Sequence, residues 1–410
     1  MNGRYKVSLS SRSDVKNGTW TSPASFTHIF EVDATNEDVY DRVVKSAIPH
    51  ALEGSTCNFF AFGHTGSGKT HTIIGAPEQN RLGLYFLSAK RLCEDIRLHN
   101  EQAGASGSPP LLLALRLYEL RQSKVYDLLD GRRECHAREG GDGKTHIRGE
   151  TESLEGGKVR VKHIAQEICH TFEDVIGRMK AGLQLRAQGV SSVHDESSRT
   201  HAVLEMEIVT TELIQAREAI VEAQSELVPW GKRATDVYLE ETMKSLIRGE
   251  DGQYKPNPDR PVDQEKIDEA EAKKQEYEGY VAAAEDRVHS AIASGPSIGG
   301  RLVFVDLAGA EYHKALTTTT PALRSQIPQE RREGQQINTD LLALKEVIRA
   351  WAAKRSRVPY RSSTLTMVLR EYFAHTGPCG PTMIVTASTA NNHFKATTNA
   401  LQYGGLVGAA

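Results

Sequence analysis

Gly63-His64-Thr65-Gly66-Ser67-Gly68-Lys69-Thr70 decides how the rest of the chain is read. It follows the apolar run Cys57-Asn58-Phe59-Phe60-Ala61-Phe62 and leads, from Thr70 onward, into a stretch of helical character. Strand, glycine-rich turn and helix in that order make a loop whose backbone N–H groups can wrap phosphate oxygens. The positive end of the helix stands behind them. Lys69 is placed to meet β- and γ-phosphates, and the Thr70 hydroxyl to ligate Mg²⁺. Alone, the pattern also fits an ordinary glycine-rich turn; the flanking strand and helix favour phosphate.

Outward from the loop, strand-like and helix-like stretches alternate. Residues 111–118, 202–209, 301–307 (RLVFVDL) and 382–388 are apolar runs of strand length, 202–209 with period-two alternation. Residues 84–98, 171–187, 336–353 and 363–373 have helical spacing. The alternation predicts an α/β fold with a central, mostly parallel sheet flanked by helices on both faces. Composition agrees: 410 residues, 39% apolar, 25% charged, net charge −3. That balance excludes wholesale disorder and offers no global basic charge for nucleic acid or a membrane surface. No run of about 18 apolar residues is present to span a bilayer, and the N-terminus lacks the apolar core of a signal peptide. Five scattered cysteines (Cys57, Cys93, Cys135, Cys169, Cys379) argue against a disulfide scaffold and for a reducing compartment. Cys135-His136 and Cys169-His170 lack zinc-site spacing.

The global charge hides a split. Residues 211–300 carry 11 basic and 19 acidic side chains, whereas 301–370 carry 12 basic and 6 acidic. The acidic stretch is rich in Ala, Glu, Lys, Arg and Gln, and predicts helices over 212–226, 233–249 and 264–292. Pro229-Trp230-Gly231 and the Pro-rich 252–261 are expected to break them apart. We read 211–299 as an acidic, mostly helical insertion within one domain covering 1–410. A docking platform for a protein partner and a passive excursion are both open for it.

Two further motifs carry chemistry. Val305-Asp306-Leu307-Ala308-Gly309 ends an apolar strand, which puts Asp306 where a phosphate-binding enzyme needs a carboxylate near Mg²⁺, and Gly309 where a backbone N–H approaches the γ-phosphate. Ser197-Ser198-Arg199-Thr200-His201 gathers two hydroxyls and a guanidinium. In this order GHTGSGKTHT, ESSRTHAV and DLAGAE resemble the P-loop, switch I and switch II of the kinesin motor family. Ile337-Asn338-Thr339-Asp340-Leu341-Leu342-Ala343-Leu344 resembles the start of its relay helix, Val358-Pro359-Tyr360-Arg361-Ser362-Ser363-Thr364-Leu365-Thr366 the segment after it, and 28–40 its early segment. The resemblance covers about residues 26–210 and 300–405. It implies a P-loop NTPase that binds ATP, ADP and Mg²⁺ and hydrolyses ATP on microtubules, in the cytoplasm on the cytoskeleton. Gly63, His64, Thr65, Gly66, Ser67, Gly68, Lys69 and Thr70 would cradle the phosphates, and His71 would pack on adenine. Thr70, Ser198 and Asp306 would hold the metal. Ser197 and Ser198 would close over the γ-phosphate and Gly309 would sense it, while Arg199 and Glu311 would pair to organise the attacking water. Lys345, Arg349, Lys354, Arg355, Arg357 and Arg361, on or just after the relay helix, would face the acidic surface of tubulin. Lys345 and Arg349 are four residues apart and share a helical face.

The chain also departs from the family pattern. The first-strand Arg-x-Arg-Pro that flanks adenine is not found, so either the chain is trimmed or the adenine pocket is incomplete. His194 stands where switch I usually begins with Asn. The loop 311–333 is long, and the end, ALQYGGLVGAA, shows no basic neck linker or coiled coil. LLALKEVIRAW and VLREYF look like the internal, depolymerising kinesins, but their Lys-Val-Asp tip is not found in 1–30. Translocation, depolymerisation and a nucleotide-impaired microtubule-binding or scaffolding module therefore stay open. A P-loop NTPase acting away from microtubules is a further reading; no NKxD guanine-reading motif is found.

Overall fold

The computed structural model describes residues 4–11, 18–103, 109–140, 143–187, 199–248, 253–309, 328–374 and 379–408. Its main sheet is built from β1 (Thr56–Phe62), β2 (Leu112–Arg121), β3 (Lys124–Asp127), β4 (Arg133–Glu139), β5 (Thr145–Ser153), β6 (Val159–His163), β7 (Glu167–Cys169), β8 (His201–Val209), β9 (Arg301–Asp306) and β10 (Thr382–Val385). The helices used below are α1 (Lys69–Ile73), α2 (Leu84–Ala103), α3 (Phe172–Ala187), α4 (Thr211–Lys244), α5 (Gln264–Ala293), α6 (Pro328–Ala352), α7 (Thr364–Val368), α8 (Arg370–Ala374) and α9 (Phe394–Gly408). The chain divides into two compact units, Met1–Arg148 with Ile164–Val209 and Pro296–Ala410, and Gly149–His163 with Thr210–Gly295.

In the first unit the strand order is β4-β3-β2-β8-β9-β1-β10, with β7 also on β2. Only β9–β1 and β1–β10 are parallel; β2 pairs antiparallel with β3, β7 and β8, and β8 with β9. The sheet is therefore mixed where the sequence predicts a mostly parallel one. One antiparallel pair has a local cause: β2 turns into β3 through Gln122 and Ser123, both at positive φ (50° and 65°), which gives a tight turn matched to strand twist. The parallel centre is where helices sit on both faces. Phe60 and Phe62 point to α8 and α9, stacking on Phe373 at 5.1 Å and Tyr403 at 4.0 Å. Phe59 stacks on Phe304 at 5.0 Å, and Tyr85 of α2 meets Phe304 edge-on at 5.8 Å. Burial on both faces explains why β1 is apolar from Phe59 to Phe62, while the buried Asn58 donates its amide to Tyr372 O at 3.1 Å.

β8 departs from its alternating pattern, since all nine residues are buried. Its charged members are satisfied inside: Glu205 accepts from Tyr118 (3.2 Å), Arg116 (3.4 Å) and Tyr372, and Glu207 pairs with Arg301 at 3.1 Å. Helix 363–373 of the sequence reading is split into α7 and α8, and α6 starts at Pro328, eight residues ahead of the 336 predicted. Cys57 and Cys379 are joined in a disulfide with a Cα–Cα distance of 5.0 Å, a single bridge where the scattered cysteines argue against a disulfide scaffold. Parallel pairing of β1 with β10 (Thr382 opposite Phe59) sets the starts of the two strands side by side, across 322 residues of sequence. Cys93, Cys135 and Cys169 remain thiols.

The second unit is a pair of long helices, α4 and α5, with the later part of β5 and β6 beside them. Helix α4 runs uninterrupted for 34 residues through Pro229, against the predicted break. The proline forfeits a backbone bond to Ser225, about 3 kcal/mol. Packing compensates: Trp230 stacks on Tyr277 of α5 at 5.4 Å, and Lys273 lies 5.6 Å above the Trp230 ring. Lys158–Glu226 and Arg160–Glu222, both 2.8 Å, pin α4 to the strand region. Among the described residues no helix is long and apolar enough to cross a membrane.

Candidate active site

The loop after β1 turns twice through conformations that favour glycine. Gly66 and Gly68 have φ of +78° and +101°, with open space where a Cβ would stand. Gly63 is glycine for a different reason: a Cβ there would overlap Ser67 and Thr386. The same two side chains bond each other (Oγ to Oγ1, 2.6 Å), tying the loop to the end of β10. His64 is buried, with its ring 4.6 Å from that of His393, and Thr65 is exposed. His71 is exposed on α1, and its carbonyl accepts from Asn36 at 3.0 Å.

Lys69 opens α1 and is 5% exposed, its Nζ donating to the His64 carbonyl at 2.9 Å. Burial lowers its pKa to about 8, with the Asp306 carboxylate working the other way. A bound polyphosphate favours the charged ammonium, so binding above about pH 8 must take up a proton. Nucleotide affinity is then full below that pH and falls above it, by at most about tenfold per pH unit. Titration calorimetry in buffers of different ionisation heat should find proton uptake near pH 8.5 that Lys69→Met removes. A flat affinity profile through the alkaline range would mean that burial does not lower the Lys69 pKa.

Opposite the loop stands the end of β9. Thr70 Oγ1 donates to Asp306 Oδ2 at 2.8 Å, and Arg186 Nη1 reaches the same oxygen at 3.0 Å. Arg186 is 3% and Asp306 1% exposed. The guanidinium also donates to the Thr200 hydroxyl and carbonyl, both at 3.1 Å. Arg186 was not legible in sequence: at the end of the amphipathic α3 it looks like a solvated last-turn cation. Its position just ahead of the SSR segment was the only signal. Asp306 Oδ1 is buried and unpartnered, beside the Thr70 hydroxyl. An orphaned carboxylate oxygen next to a hydroxyl fits a hard divalent cation such as Mg²⁺. Gly309 lies against the loop: a Cβ on it would sit 2.5 Å from Thr65 N and 2.8 Å from Thr65 Cα. The fold thus brings Lys69, Thr70, Asp306 and Gly309 together. Arg199 is half-buried two residues ahead of β8. Ser197, Ser198, Glu311 and His194 lie outside the described residues.

The basic residues near α6 differ among themselves. Arg349, Lys354, Arg355, Arg357 and Arg361 are exposed, while Lys345 is half-buried. Lys354, at φ 49°, closes the helix by donating to Trp351 O at 2.9 Å. Arg349 pairs with Glu346 at 2.9 Å, and Arg361 with Glu139 of β4 at 2.7 Å. Arg370 takes the other Glu139 oxygen at 2.9 Å, and hydrogen bonding from Arg361, aided by Arg370, holds that carboxyl below its ordinary range.

Comparison with known proteins gives a consistent result. The kinesin motor domain family profile matches residues 4–229 and 280–408. The chain is 25% identical over 378 residues to the kinesin-like protein KIF24 of Mus musculus, covering 92% of this chain and 20% of that protein. It is 26% identical over 378 residues to the kinesin-like protein KIN-13B of Arabidopsis thaliana, covering 92% of this chain and 39% of that one. The chain thus spans about a fifth to two fifths of these relatives' length. A solved structure of a fast kinesin superposes with a TM-score of 0.57 at 19% identity, covering 99% of this chain and 84% of that one.

Proposed function

The chain belongs to the kinesin motor domain family, and from that premise we propose that it is an ATPase which binds microtubules and is stimulated by them. The observation that carries this reading is the meeting of the half-buried Thr70 with the buried Asp306 at 2.8 Å, beside Lys69 and with Gly309 against Thr65. Phosphoryl transfer through a loose transition state asks for positioning and charge stabilisation rather than covalent chemistry. Backbone N–H groups of 66–70 and Lys69 bind the phosphates, Gly309 senses the γ-phosphate, and Ser197 and Ser198 close over it. Arg199 and Glu311 orient the attacking water. Mg²⁺, held by Thr70, Ser198 and Asp306, neutralises phosphate charge when bound. Loss of the γ-phosphate frees the switch segments, and α6 passes the change to the basic stretch around Arg349, Lys354, Arg355 and Arg357. Those exposed cations meet the acidic surface of cytoplasmic microtubules, so binding weakens as salt rises.

The test is steady-state ATP hydrolysis with and without microtubules, with Lys69→Ala as the blank. Stimulation of about tenfold or more, lost in the blank, is expected. Microtubule pelleting without stimulated turnover would reduce the chain to an anchoring module. No pelleting in any nucleotide state would remove microtubules from the reading altogether.

A further inference from the structure

His201 opens β8 and is 2% exposed. Its Nδ1 accepts from the backbone N–H of Ala308 at 3.0 Å. A backbone amide only donates, so Nδ1 carries the lone pair and the ring proton sits on Nε2. Burial, reinforced by the cationic Arg186 and Lys69, pushes the ring's pKa down to about 3, so the imidazole stays neutral. Nε2 itself is buried and has no partner. A buried donor left unpaired is costly, which sets this ring apart from a satisfied core histidine.

The position of that bond matters. The β8–β9 ladder ends with Ala202 opposite Asp306, so the His201 ring reaches past it to the loop that carries Gly309. Three consecutive residues there are held by three different elements. Leu307 N–H donates to Ala61 O of β1 at 3.3 Å, Ala308 N–H to His201 of β8, and Gly309 packs on Thr65. His201 follows directly on Ser197-Ser198-Arg199-Thr200. It is the only one of the three ties that runs to the strand continuing from the SSR segment.

We infer that His201 is a positioning residue whose Nδ1 ties the start of β8, directly after Arg199 and Thr200, to the loop that carries Gly309, so that γ-phosphate sensing at Gly309 depends on this bond. The inference rests on the nucleotide reading above and goes beyond it. It makes γ-phosphate discrimination depend on an acceptor at one ring position and not on the volume of the side chain. In His201→Asn the amide oxygen falls near the Nδ1 position; in His201→Gln it falls near Nε2, and His201→Leu has no acceptor. Packing alone would rank Gln and Leu, closer to His in size, above Asn.

The experiment compares the full chain and these three variants. Each is assayed for binding of ADP and a non-hydrolysable ATP analogue by fluorescence titration, for kcat and KM, and for Tm. Expected is a fall in kcat of about 100-fold in Gln and Leu. Their analogue-to-ADP affinity ratio should collapse, ADP affinity should stay within about threefold, and Asn should recover most of both. If Leu does not fold, the Asn–Gln pair carries the test. Equal loss in Asn and Gln, or losses that track Tm in all three, overturns the inference while leaving the nucleotide reading intact. If the unmodified chain binds neither nucleotide, or binds both without discrimination, the nucleotide reading fails and the inference falls with it.

Discussion

Gly309→Ala is expected to stop ATP turnover while sparing ADP binding. The added Cβ would stand 2.5 Å from Thr65 N and 2.8 Å from Thr65 Cα, which are backbone atoms of the phosphate loop with no free rotamer to give way. The loop must retreat from Gly309 or Gly309 from the loop, and either separates the residue from the γ-phosphate position. Loss of one aimed backbone donor is worth about 100- to 1,000-fold in kcat, and the steric displacement adds about 1–3 kcal/mol of destabilisation. The clash falls on Thr65 and not directly on the N–H groups of 66–70 that would serve the inner phosphates, so ADP should bind within about tenfold of the unmodified chain. Gly66→Ala is the contrasting control: φ is +78° but no atom lies within 4 Å of the new methyl, so its penalty is backbone strain alone. ATP turnover and labelled-ADP titration on the two variants decide the matter. A Gly309→Ala protein retaining a tenth or more of normal turnover would contradict the close approach.

What could be read ahead of the structure follows from how local each feature is. The strand, glycine-rich turn and helix around 63–70 were legible because the whole pattern lies in eight consecutive residues and its flanks. The approach of Asp306 and Gly309 to that turn was legible because Asp306 ends an unmistakable apolar strand and Gly309 follows three residues on. Arg186 was not, because its partners, Thr200 and Asp306, are 14 and 120 residues away and only the fold joins them. For the same reason β8 read as half-exposed: Glu205 and Glu207 look like a solvent face until Arg116, Arg301, Tyr118 and Tyr372 close over them. Pro229 misled in the other direction, since its local preference to end a helix yields to the stacking of Trp230 on Tyr277. The basic stretch was visible as charge, but sequence gives no hint that Arg361 is already engaged with Glu139 across 222 residues.

The second large effect belongs to Arg186. Its guanidinium spends three N–H groups on Asp306 and Thr200, and both ions of the pair are almost wholly buried. Removing one partner of such a pair leaves a charge in low dielectric, at about 3–5 kcal/mol. Arg186→Met should therefore lower the urea midpoint strongly with an unchanged m-value, and Asp306→Asn should do so as well. Arg186→Lys should recover little, because an ammonium cannot span the Thr200 hydroxyl, the Thr200 carbonyl and Asp306 in one plane. The double variant Arg186→Met/Asp306→Asn separates the sources of the loss. With neither charge left to strand, it should be more stable than the sum of the single losses implies, by about 1–3 kcal/mol of coupling. Simple additivity would mean that the two groups do not depend on each other. The same variants bear on metal binding, since Arg186 and Thr70 both donate to Asp306 Oδ2 and leave Oδ1 as the open oxygen. Arg186→Met frees the carboxylate to rotate, so the Mg²⁺ concentration needed for half-maximal nucleotide retention should rise even where the protein remains folded.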